Sequence, residues 1–130
     1  MNDVGNAISI VDPSITAGGT VDVADAVIAG VVFRAAIDID GIVKVEGRDR
    51  AGILNLLRKG GIPKGIQMNK DLGEVVLDVH VSVTYGTYIP DIAIELRERA
   101  SRDVFELTGF RIRALNVLVS GVVDEPAPAK

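Results

Sequence analysis

The stretch from Val75 to Tyr85, VVLDVHVSVTY, constrains the fold of this chain more than any other. Val75, Leu77, Val79, Val81, Val83 and Tyr85 are apolar, and after Val76 the positions between them are Asp78, His80, Ser82 and Thr84. Successive side chains of a strand point to opposite faces, so this alternation describes a strand with one apolar and one polar face. Such a strand belongs to a sheet covered on one side only. A second layer must come from elsewhere in the chain.

Two segments have helical periodicity. The first, ADAVIAGVVFRAAI at 24–37, carries a stripe of Ala24, Val27, Ile28, Val31 and Ala35. Its other side is also apolar, with Ala26, Ala29, Gly30, Phe33 and Ile37. A helix apolar all round is normally buried, and Gly30 costs about 1 kcal/mol against Ala unless another backbone approaches it closely. The small-residue side, Ala26, Ala29, Gly30 and Phe33, is therefore a candidate face for self-association. On that reading, Ala29→Arg dissociates an oligomer and leaves the fold intact. The second helix opens at Pro90, a first-turn proline, and runs to about Thr108 before Gly109. Its apolar face is Ile89, Ile92, Ala93, Leu96, Ala100, Val104 and Leu107, with Glu95–Arg99 and Glu98–Arg102 spaced as ion pairs on the solvated side.

Shorter elements complete the order. IVKVEG follows the Asp40-Gly41 turn as a strand, and AGILNLLRKGG is a short helix ended by Gly60-Gly61. DLG, residues 71–73, is a hairpin signal between GIQMN and the long strand, and FRIRALNVLVSGV is the last strand. The predicted fold class is α+β: two layers, a small mixed β-sheet with helices packed on one face, and a C-terminal β-α-β crossover with parallel strands. Residues 1–19 read as a partly flexible N-terminal arm, 20–122 as a single domain and 123–130 as a disordered tail.

At 130 residues the chain can bury a core without metal or disulfide support. It contains no cysteine, which removes disulfides, thiolate metal sites and a cysteine nucleophile. The longest run without a charged residue is 79–90, short of the roughly 20 apolar residues that span a bilayer, so no direct membrane span is expected. MNDVGNAISIVD has neither the basic nor the apolar part of a secretion signal, and the expected compartment is the cytoplasm. Charge is unevenly distributed. Residues 1–40 hold six acids against Arg34, whereas 41–70 hold seven bases against Glu46 and Asp49.

His80, the only histidine, is the natural place to look for chemistry. It stands beside Asp78 on the polar row, yet no nucleophile motif or metal-ligand spacing accompanies the pair, so it reads as part of the outer face. No cofactor or metal is expected. The glycine-rich RKGGIPKG at 58–65 lacks the spacing of a phosphate loop, but Arg58, Lys59 and Lys64 there form a candidate surface for an anion or a partner. Tyr85 and Tyr88, flanking the strand-to-helix turn, join them as recognition candidates. Nucleic-acid binding through the basic 44–70 region is the alternative reading. A pI near 4.9 and few aromatic side chains for base stacking count against it.

Residues 74–122 resemble the C-terminal signature of the bacterial alkaline shock protein family, also called envelope stress response proteins. The matching features are the strand ending in Tyr85-Gly86, Ile89-Pro90 opening a long helix, the Thr108-Gly109 helix end, and a strand with Asn116-Val117 closing in Gly121-Val122. VDVADAVIAGVVFRAAIDIDGIVKVEG is similar to the family's first helix and following strand. GRDRAGILNLLRKGGIPKG departs from the pattern, in the region where the family varies most. The resemblance implies a cytoplasmic, non-enzymatic protein of cell-envelope stress response or homeostasis. It also implies a homo-oligomer that reaches the membrane through a membrane-anchored protein partner. It supplies no catalytic residues.

Overall fold

The computed structural model describes residues 23–60, 66–69 and 72–124, the backbone alone for 66–69. The proposed N-terminal arm, Lys64 and all but the first two residues of the proposed tail lie outside them. In chain order the elements are α1 (Asp25–Ile37), β1 (Ile42–Val45), α2 (Arg50–Arg58), β2 (Ile66–Asn69), β3 (Glu74–Thr84), α3 (Ile89–Thr108) and β4 (Arg111–Val123). This is the α+β, two-layer arrangement the periodicities predict.

β3 is the axis of a four-stranded sheet. β4 runs parallel to it along its whole length, from Glu74 opposite Arg111 to Thr84 opposite Val123. β1 and β2 are both antiparallel to β3, at Val81–Val83 and Glu74–Leu77 respectively. They therefore lie end to end along the other edge. The alternation in β3 is realised residue by residue: Val75, Leu77, Val79, Val81 and Val83 are buried, while Asp78 and His80 are exposed. Leu115 of β4 joins them on the covered face. β4 carries two bulges, at Arg113 and Ser120, where the pairing with β3 skips a residue.

α3 buries Ile92, Leu96, Ala100 and Val104, a strict four-residue repeat that makes one line along the helix. Leu107 and Ile89, expected in that stripe, are exposed because they lie at the two ends, beyond the packed surface. Pro90 sits in the first turn, and Gly109 ends the helix in the left-handed region, φ 81°. Glu95 and Arg99 do pair, at 3.4 Å, but Arg102 turns to its neighbour Asp103 rather than to Glu98.

α1 requires a correction. Its buried side is Ile28, Ala29, Val32, Phe33, Ala35, Ala36 and Ile37, whereas Val27 is 45% exposed and Val31 half-buried. In a helix apolar on every side, composition cannot say which side faces the sheet; packing against β1, β2 and α3 decides it. Gly30 also has a different explanation from the expected backbone approach. A Cβ there would stand 3.4 Å from Leu57 Cδ2, so its neighbour is a side chain of α2.

Candidate functional site

α1, α2 and the end of α3 leave an open groove of ≈ 490 Å³ between them. Ala26, Val27, Gly30 and Val31 form one wall, Leu57 comes from α2 and Gly60 from the turn after it, and Leu107 closes the far side. Arg34 and Asp103 are its polar members. The candidate face on α1 thus divides. Ala26 and Gly30 line the groove, while Ala29 and Phe33 are in the core, 2% and 7% exposed. An arginine at position 29 would have to enter that core, so Ala29→Arg tests folding, not association. The exposed Val27 is the position that reports on the groove.

One base of the 41–70 segment meets an acid of the first forty residues in space. Asp38, the C-cap of α1, receives Arg34 from its own helix at 3.3 Å and Arg50 from the start of α2. The hydrogen bond from Arg50 holds its carboxyl below the usual carboxylate range, against the opposing effect of partial burial, with the charges of Arg50 and Arg34 acting in the same direction as the bond. Arg58 reaches only the neutral Asn55, at 3.4 Å, and Lys59 is exposed at the end of α2, next to the groove wall formed by Leu57 and Gly60. Lys64 lies outside the described residues.

Tyr85 and Tyr88 are 75% and 67% exposed. Their turn lies against the opposite end of α1, since Thr87 and Ile92 are the neighbours of Gly41. Neither tyrosine is among the residues that line the groove. Arg58 and Lys59 stand between two groove-lining residues, Leu57 and Gly60, in the chain, without lining the groove themselves.

His80 does not pair with Asp78. The Asp78 carboxylate accepts from Asn116 Nδ2 of β4 at 2.8 Å. His80 is held instead by Glu46. The Glu46 carboxylate accepts the His80 backbone N–H at 2.8 Å and lies 3.3 Å from Nδ1, and the Glu46 N–H donates to the His80 carbonyl at 2.7 Å. Glu46 and Gly47 both have positive φ, 53° and 78°, between Val45 and Arg48, which exchange both backbone hydrogen bonds. This is the geometry of a tight two-residue turn. Glu46 thereby satisfies the edge of β3 in the gap between β1 and β2. The sequence signal for this turn is Glu-Gly after a short strand, a pattern that equally fits the end of that strand. Among the described residues no cluster of three or more potential ligands could hold a metal ion. No helix among them is long and apolar enough to cross a membrane.

The chain is 29% identical over 106 residues to YloU of Bacillus subtilis, covering 80% of this chain and 88% of that one. It is 26% identical over 117 residues to YqhY of the same organism, covering 90% and 87%. Both relatives are described as uncharacterized. No solved structure gives a significant match. Residues 14–124 match the model of the alkaline shock protein 23 family, described as having a cell envelope-related function. The chain belongs to that family.

Proposed function

We propose that this protein is a non-enzymatic scaffolding module of the cell envelope and its stress response. It works from the cytoplasm by self-association and by binding a membrane-attached partner. The observation that carries the self-association is the apolar groove beside α1. Val27 and Leu107 are 45% and 64% exposed at its rim, although each of their helices buries an apolar line in the core. A second copy that seats an apolar helix there removes these side chains from water. Arg34 and Asp103, one of each sign, provide polar anchors for a fixed register.

Sedimentation velocity on the wild type and on Val27→Arg is the test. The expected result is an assembled wild type and a folded, smaller Val27→Arg species. Equal masses with unchanged circular dichroism would overturn the groove as the self-association site. Fractionation of source-cell lysate addresses the envelope partner. Recovery with membranes, insensitive to nuclease, supports it, and recovery in nuclease-sensitive particles favours an anion-binding role for residues 44–70 instead.

A further inference from the structure

A second cleft, of ≈ 240 Å³, lies between α3 and the outer edge of β4. Its polar lining is Arg97, Ser101, Arg113 and Asn116, over an apolar floor that includes Ile112 and Leu115. Arg97 Nε donates to the Leu115 carbonyl at 3.0 Å, which fixes the guanidinium across the cleft with its terminal nitrogens free to act. Arg113 stands on the first bulge of β4. Among the described residues neither guanidinium meets a carboxylate within ion-pair distance. Among the described residues Asp78 accepts from Asn116 and Glu95 pairs with Arg99, and Glu74 and Glu98 form an ion pair with neither arginine. Arg111 adds a third positive charge, stacked over the Phe105 ring at 4.8 Å.

Unpaired guanidinium groups gathered on a protein of net charge −4 are a local exception, and two of them flank one cleft. A braced arginine fork matches the planar geometry of a carboxylate. The apolar floor suits the aliphatic stem of an acidic side chain better than it suits a free phosphate. Beside the cleft, β4 has no strand partner on its outer edge among the described residues, and the bulges at Arg113 and Ser120 leave a short regular stretch between them. With the Leu115 carbonyl taken by Arg97, the remaining groups of this edge accept only a short extended segment. We propose that the Arg97–Arg113 cleft binds a carboxylate side chain carried on an extended acidic segment of a partner protein, laid along β4. This names the chemistry of a partner and rests on the proposed function only for the existence of one.

The test is titration of the full chain, followed by backbone amide NMR, with a blocked Val-Glu-Val-Glu-Val peptide, its Gln-for-Glu counterpart and inorganic phosphate. The acidic peptide is expected to shift amides at 112–119 and to bind about tenfold tighter than the Gln peptide, the equivalent of one charge-assisted pair. Arg113→Ala should remove about that tenfold preference. Arg97→Lys keeps the charge but loses the fork, and should weaken binding without disturbing the Leu115 region as Arg97→Ala could. Equal binding of the two peptides, shifts confined to other surfaces, or displacement of the acidic peptide by equimolar phosphate would overturn the proposal. Val27→Arg should bind the peptide as the wild type does, so failure at the groove and failure at this cleft give different results.

Discussion

Two residues show how a side chain gains a role from its neighbours. Asp38 has a depressed pKa because Arg50 and Arg34 favour its charged form. A group with a lowered folded pKa contributes stability above the ordinary carboxylate pKa, and that contribution is lost as pH falls through the folded value. Both side chains of the Arg50–Asp38 pair are partly in water, so its worth is discounted to about 0.5 kcal/mol. Arg50→Ala should lower the urea midpoint slightly at pH 7. The difference from wild type should shrink once Asp38 is protonated; a difference that stays constant down to strong acid would sink this assignment. Glu46 is the stronger case. Glu46→Ala keeps a non-glycine residue at positive φ and leaves the His80 N–H without its acceptor, an expected loss of about 1–2 kcal/mol. Glu46→Gly removes the strain and should lose less. Thermal melts of the two variants decide between them.

Among the elements, α3 was the most legible and α1 the least. α3 announces its beginning with Pro90, its end with Gly109 and its buried face with a regular four-residue repeat. Gly109→Ala should cost roughly 1–2 kcal/mol, since the left-handed conformation disfavours a Cβ. A calorimetric scan showing no loss would mean that the helix end relaxes. α1 has apolar residues on all sides, and its orientation is set by the sheet and α3. Gly30→Ala should stabilise the monomer by about 0.8–1.0 kcal/mol through helix propensity, because the new methyl meets only the end of the Leu57 side chain. If the groove seats a second copy, the same variant should weaken association measured by sedimentation.

At the scale of the molecule, β3 connects everything. Its inner row meets the helical layer and both its edges are paired. Leu96→Ala, in the middle of α3 and fully buried, should destabilise by about 2–5 kcal/mol, measurable by urea unfolding. The strands, the parallel crossover and the layer count follow from period-two and period-four patterns in the sequence alone, because those patterns record which side of each element avoids water. The sequence by itself also determined the absence of thiol chemistry and the family resemblance, which depend on residue identity and order. Only the tertiary structure decided which side of α1 is buried and that Glu46, not Asp78, holds His80. It alone also paired Arg50 of the basic island with Asp38 and brought Arg97 beside Arg113. Each of these depends on residues separated by at least twelve positions in the chain, and no local periodicity encodes where a crossover returns them.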